Sequence, residues 1–404
     1  MRPSSCLAAQ HPQQCRHRRN LVVAALAALV SLSAASRTPV PIRDAPDLYD
    51  HLTNSAYDGA LLVLAPGPYP LDPARPNCGR LELRPGMAIT GVAGAPEQVV
   101  IDASALYLAK PDQPNYCNEP AKFAAVRMGR GNNSLESLTV TGASSAAAAI
   151  GTDLDGSATR VRIANVIVTN SARGIDVRNF LTSGRALDVT LVDNVMHDNK
   201  LSKPGQGLRI ANIGSTASSI RVTMSGNAMY DNVVGCLVAN LNGSNSAIAV
   251  TSTGDAIYDN GNGCLVNGGI ADAGSLIPAP ANASGNAVSV MFNGGSIEGN
   301  NRPPGAASPS PGGLVVIGGQ SNSPVYGASR NAVSVTLKST LLDDNPPQKD
   351  LVAAGAVPDV SGTMTVNGQE IVLQAFRSDA GFVATGASAP ECWHWLQGTL
   401  TPEV

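Results

Sequence analysis

The chain repeats itself, and the length of the repeat decides what it can fold into. One segment recurs as Val189-Thr-Leu-Val-Asp-Asn-Val-Met-His-Asp-Asn199, Val222-Thr-Met-Ser-Gly-Asn-Ala-Met-Tyr-Asp-Asn232 and Val250-Thr-Ser-Thr-Gly-Asp-Ala-Ile-Tyr-Asp-Asn260, with degenerate copies ending at Asn170, Asn300 and Asn345. A second recurs between the copies, as Gly174-Ile-Asp-Val-Arg-Asn179, Gly207-Leu-Arg-Ile-Ala-Asn212, Gly235-Cys-Leu-Val-Ala-Asn240, Gly263-Cys-Leu-Val-Asn267 and Gly313-Leu-Val-Val-Ile317. The leading glycines stand 33, 28, 28 and 50 residues apart. A period near 28 with tolerated insertions means one structural unit per repeat, the extra residues bulging out as loops.

Within a unit, apolar and polar residues alternate with period two, so the elements are strands whose alternate side chains face inward. A strand that returns a full repeat later in the same register cannot pair as a hairpin and must stack in parallel, at roughly 4.8 Å per coil. Ile175, Leu208, Cys236, Cys264 and Leu314 then form one interior ladder, and Met196, Met229, Ile257 and Ile297 another. Asn199, Asn232, Asn260, Asn300 and Asn345 stack at a turn, their amides bonding coil to coil. Composition agrees: 404 residues hold 41 glycines, 5 Phe and 2 Trp, and only 14% are charged, against about a quarter in ordinary domains. Thin stacked layers suit such a chain better than a core of large aromatics. Cys236 and Cys264 read as small buried hydrophobes in the first ladder rather than as a disulfide or a metal site.

The N-terminus reads as an export signal. Arg16, His17, Arg18 and Arg19 precede an apolar run from Leu21 to Ser33, and Ala34-Ala35-Ser36 offers small residues for cleavage. Arg18-Arg19 also fits a loose twin-arginine pattern, so the export route stays open. The apolar run is too short to span a bilayer and no later segment resembles a span. The expected product is periplasmic or extracellular, without a transmembrane segment. Residues 1–36 carry four arginines and no acid, leaving 23 basic against 30 acidic residues in the mature chain; this charge balance argues against a nucleic-acid partner. Five cysteines remain, and Cys78 and Cys117, which flank the first coils, are expected to form a disulfide where a solenoid end is prone to fray. Cys392 has no evident partner.

These units resemble the right-handed parallel β-helix proteins of the pectin lyase-like superfamily. The opening agrees: Asp44 to Thr53 fits a short capping helix, and Gly59-Ala-Leu-Leu-Val-Leu-Ala-Pro-Gly-Pro-Tyr-Pro70 resembles the superfamily's first strand and turn. The resemblance covers about residues 42–360 and implies an all-β, single-stranded right-handed solenoid. The expected division is a signal peptide at 1–36, an N-terminal cap at 37–58, the β-helix at 59–360 and a C-terminal capping segment at 361–404, which carries Trp393 and Trp395. The resemblance does not extend to catalytic motifs. The Asn-Thr-Asp, Asp-Asp, Gly-His-Gly and Arg-Ile-Lys elements of polygalacturonases are missing, as are the local signatures of pectate lyases, methylesterases and uronan epimerases. His51, His197 and His394 lie far apart in the mature sequence.

What remains is a charge cluster set by the register. With Ile150, Ile175 and Leu208 inward, one outer face carries Asp153, Asp176, Arg178 and Arg209, with Arg127 one coil earlier. A surface ion-pair ladder accounts for it without chemistry. As a candidate active site it would serve a lyase or a hydrolase acting on an acidic polysaccharide: in a lyase Asp153 and Asp176 would hold Ca²⁺ against the substrate's uronate while Arg178 or Arg209 takes the C5 proton, and in a hydrolase the carboxylates would divide into acid and base. The outer ladder then turns apolar at Leu237, Leu265 and Val315, while His197, Tyr230 and Tyr258 stack outward on another face and, with Arg127, are the candidate contacts for a sugar polymer. Non-catalytic binding of a glycan or another surface polymer is the favoured expectation; a divergent polysaccharide lyase or glycoside hydrolase is the alternative.

Overall fold

The computed structural model describes residues 37, 39–106, 124–143, 148–152, 160–201, 205–271, 282–300, 313–318, 320–321, 328–343, 351–354, 361–366, 369–374 and 383–385. The proposed signal peptide, Cys117, Asp153, Asn345, Cys392 and both tryptophans lie outside them. Nearly all described elements are strands, and they pair in parallel from Pro39–Ile42 through Ser361–Val366. The chain is a parallel β-solenoid.

Each central coil has three faces. In one coil these are Ser219–Ser225, Ala228–Tyr230 and Val234–Leu241. The first two faces belong to one large sheet, because in earlier coils the long strands Asn133–Thr141 and Arg160–Thr169 run through both and bend at Ser137 and Asn165, each with positive φ. The third face is a separate sheet from Leu81–Glu82 to Leu351–Ala354. The expected ladders are in place: Ile175, Leu208, Cys236, Cys264 and Leu314 are successive register partners, as are Met196, Met229, Ile257 and Ile297, and all are buried. Each fully buried aliphatic side chain contributes about 1.5–3 kcal/mol.

The recurring glycine of the second segment has a steric cause. A Cβ on Gly174 would stand 2.2 Å from the Gly207 carbonyl oxygen, and one on Gly263 2.1 Å from that of Gly313. Coil backbones touch there, and no larger residue fits.

Buried amides join the coils. Asn232 accepts at Oδ1 from the Asn199 backbone N–H and Nδ2 at 3.1 and 3.0 Å, and Asn260 accepts likewise from Asn232 at 3.0 and 3.0 Å. Asn300 continues the column. Further ladders run through Asn194, Asn227 and Asp255, through Asn179, Asn212 and Asn240, and through Asn286 and Asn331.

The ends differ from the middle. Helix Ala45–Thr53 forms at the N-terminal end, as its sequence predicts: Asp44 accepts from the Asp47 N–H at 2.9 Å, Pro46 occupies the first turn, and Leu48, Tyr49 and Leu52 bury one face. At the other end Ser361–Val366 joins the stack in parallel but pairs antiparallel with Gln369–Gln374, which pairs antiparallel with Val383–Thr385. The switch ends the parallel repeat.

Candidate functional site

The third-face sheet places the predicted charges Arg127, Asp176 and Arg209 in one column, with Arg178 two residues along the strand from Asp176, in register with Ala211. Glu82, Arg127, Gly151, Asp176, Arg209, Leu237, Leu265 and Val315 are consecutive register partners, so the charged half and the apolar half of the outer ladder fall where the repeat puts them. Opposite charges meet across adjacent coils: Arg209 grips Asp176 through Nε and Nη2 at 2.8 and 2.5 Å. Arg178 Nε stands 3.7 Å from the same carboxylate and its guanidinium lies over the Phe180 ring, 5.2 Å from the centroid.

The column is not a surface ladder. Asp176 is 1% exposed, Arg178 2%, Arg127 4% and Arg209 8%. Outward direction on the strand does not guarantee contact with water, and period two reports only direction. Arg127 bonds Glu82 in the preceding coil and stays out of the Asp176 cluster. Two members belong to no recurring motif: Glu82, in a two-residue strand, and Arg173, which donates to Gln206 Oε1 at 3.2 Å. Asp153, the other carboxylate of the expected pair, lies outside the described residues. No group of three or more metal-ligating side chains occurs among the described residues.

The cluster's electrostatics favour a fixed charge pair. Burial raises the Asp176 pKa, but Arg209, Arg178 and Arg173 outweigh it and hold the carboxyl down at about 2. A group so strongly acidic cannot donate a proton near neutral pH. The Arg173 pKa is lowered too, here against the charged form: burial and the nearby Arg209 and Arg178 charges bring its guanidinium down to about 9.

His197, Tyr230 and Tyr258 are stacked on the middle face, with centroids 5.0 Å apart and interplanar angles of 6° and 14°. They are register partners, half-buried, and belong to the other sheet from the arginines. The expected sugar contacts, Arg127 with these three rings, therefore do not form one site. The stacking also limits the rings themselves: each covers its neighbour's face, so Tyr230 presents an edge and a hydroxyl rather than a ring face. His197 Nδ1 contacts Asp198 at 2.9 Å, and this bond, with Lys200 alongside at 3.2 Å, lowers the Asp198 pKa despite partial burial.

The open concavity lies on the first face, where no motif marks it. A groove of about 550 Å³ crosses the strands that begin at Ala186, Ser219, Ala247, Ala287 and Ala332. Those five residues form one exposed row, and Arg221, Ala249, Ser289 and Ser334 lie in the next. The floor is concave because small side chains occupy successive outward positions. Arg221, 4.0 Å from Asp188, stands at the N-terminal end, and the rest of the floor is uncharged. The signal was present in the sequence as outward Ala and Ser, but alternation identifies a strand whatever the outward residue is.

The class of protein defined by this architecture is the parallel β-solenoid. No known protein family matches the chain, and no curated protein matches it. Among solved structures it is similar to PfbA, a surface adhesin of Streptococcus pneumoniae, at 10% identity and a TM-score of 0.36 over 85% of this chain and 94% of the adhesin. An alginate lyase from Paenibacillus is 14% identical, with a TM-score of 0.23 over 78% and 97% of the two chains. Tailspike protein 3 of bacteriophage CBA120 is 13% identical, with a TM-score of 0.19 over 78% and 59%. Likeness at this level carries no functional argument.

Proposed function

We propose that the chain is an exported right-handed β-helix of the pectin lyase-like type that binds a glycan or another surface polymer without cleaving it. The observation that carries the reading is the groove on the first face. It is open, runs across five successive coils along the solenoid axis, and has a floor of small side chains over which an extended polymer can lie. Next to it runs the register row Thr190, Thr223, Thr251, Met291 and Thr336, with Thr223 exposed and the others half-buried, whose four hydroxyls offer hydrogen bonds along the same line. The Asp176 cluster supports the non-catalytic side: its carboxylate is buried, bound in a fork by Arg209 and strongly acidic. Export with removal of residues 1–36, a Cys78–Cys117 bond, and a capping role for residues 361–404 complete the proposal. Cys78 is not among the free thiols.

The alternative, a divergent lyase or hydrolase for an acidic polysaccharide, has one observation in its favour: Arg173, Arg178 and Arg209 gather around a single carboxylate, chemistry that suits a uronate. The test is a panel of neutral and acidic polysaccharides offered to the mature protein with and without Ca²⁺, scoring retention, unsaturated ends and reducing ends separately. Retention that is lost in Ala249→Trp, with folding intact and no new ends, supports binding in the groove. New ends that disappear in Asp176→Asn, with retention unaffected by Ala249→Trp, overturn it in favour of the enzyme.

A further inference from the structure

Cys236 and Cys264 are the free cysteines among the described residues, and they are direct register partners on adjacent parallel coils. Both point into the core, at 3% and 0% exposure, and burial, with the neighbouring Cys236 side chain, holds the Cys264 thiol well above its usual range. In-register neighbours stand roughly 4.8 Å apart across a parallel pair, inside the window of about 4.4–6.8 Å between Cα atoms that a disulfide spans. The flanking members of the same ladder, Leu208 and Leu314, carry no sulfur, so each thiol has one ladder neighbour with which to react.

We propose that Cys236 and Cys264 are a redox modification site: in an oxidising environment they close into a disulfide that staples two consecutive coils through the core. The oxidant is a small-molecule disulfide. One cysteine thiolate attacks it, breaking its S–S bond and releasing one thiol; the second cysteine thiolate then attacks the resulting mixed disulfide, forming the Cys236–Cys264 bond and releasing the other thiol. The two protein sulfurs are oxidised, the small disulfide is reduced, and the two thiol protons pass to the leaving thiolates. Because both sulfurs are buried, exchange takes place while the coils are forming or locally open rather than on the closed solenoid. The staple lies where the outer column of the third face changes from Arg209 to Leu237 and Leu265, so it joins the first two coils of the apolar half. This inference is independent of polymer binding.

The experiment is refolding of the full chain in a mixture of oxidised and reduced glutathione, followed by denaturation, alkylation of free thiols and peptide mapping. The expected result is one linked peptide pair containing Cys236 and Cys264, formed within single molecules. Two alkylated thiols at these positions, or bonds from either of them to Cys78, Cys117 or Cys392, overturn the proposal. A second readout guards against misfolding of variants. Adding reductant should lower the Tm of the refolded wild type by more than it lowers that of the Cys236→Val, Cys264→Val double variant, which retains any other disulfide. Equal drops in the two proteins overturn the proposal as well.

Discussion

Asp255 occupies a place that the repeat assigns to asparagine, and Asp255→Asn should stabilise the protein in a pH-dependent way. At the equivalent positions Asn194 and Asn227 sit in a buried column, where each Nδ2 donates to a backbone carbonyl of the preceding coil, Ile163 at 2.9 Å and Leu191 at 3.1 Å. Asp255 continues the column as an acceptor: its Oδ1 receives the Asn227 N–H and Nδ2 at 2.7 and 2.8 Å, and its Oδ2 receives the Ser252 hydroxyl at 2.5 Å. It is 4% exposed, and burial raises its pKa in spite of those bonds. A carboxyl whose folded pKa is raised contributes its stability below the unfolded pKa and loses it as pH rises through the folded pKa. The neutral amide avoids that loss and can donate to the Met224 carbonyl, the register equivalent of Leu191. The expected gain is about 1–2 kcal/mol near pH 8, on the scale of one buried hydrogen bond. Below about pH 4, where the carboxyl is protonated, the gain should shrink towards zero. Urea unfolding of wild type and variant at both pH values measures the difference. A variant destabilised at both, or a gain that does not change with pH, would falsify the account of Asp255 as a buried charge borne at neutral pH.

Asn232→Ala removes the acceptor for two Asn199 donors and the donor to Met196 and Asn260, so urea unfolding should show a loss of about 2–4 kcal/mol, several times that of an exposed alanine substitution such as Thr223→Ala. Asp176→Ala leaves buried guanidinium groups facing one another and should cost about 3–5 kcal/mol. Since the Asp176 pKa is depressed to about 2, its stabilisation is complete above the ordinary carboxyl range near pH 4 and disappears as the pH falls towards 2; thermal scans across that window should steepen in the wild type relative to Asp176→Asn. Tyr230→Ala should lower the Tm through loss of two ring stacks, about 1–2 kcal/mol, while leaving retention on a bound polysaccharide unchanged; loss of retention at constant Tm would return the aromatic column to the binding site.

The strands, their parallel order and their interior ladders were legible because a solenoid repeats its register. Once Gly207 and Gly235 are aligned, Leu208 must lie on Cys236, and it does. The same rule put Asp176 beside Arg209. What the repeat could not supply was the environment outside each column. Asp176 and Ser219 are both outward in direction, yet one is 1% exposed and the other is open to solvent. Alternation reports the direction of a side chain and not what lies over it. The groove was hidden in the sequence for a related reason: Ala247, Ala249 and Ala287 are ordinary singly, and only their adjacency across coils makes a concavity.

That adjacency also bears on what kind of ligand this surface can select. A solenoid offers each outward position as a column, so a binding strip is built by repeating one side-chain type, and a catalytic site requires neighbouring columns to hold different, convergent groups. The first face has the former character: a row of Ala and Ser beside a row of Thr interrupted by Met291, with the charge of the groove lining confined to the Asp188 and Arg221 end. The third face comes nearer the latter, but its charges are satisfied among themselves and withdrawn from water, Arg127 on Glu82 and Arg209 on Asp176. A polymer drawn in by charge alone would show steep loss of binding with added salt. A polymer held over the first face should bind with little salt dependence and respond instead to bulk introduced at Ala249 or Ala287. The salt series and the tryptophan variants thus separate the two faces whatever the polymer's chemical identity.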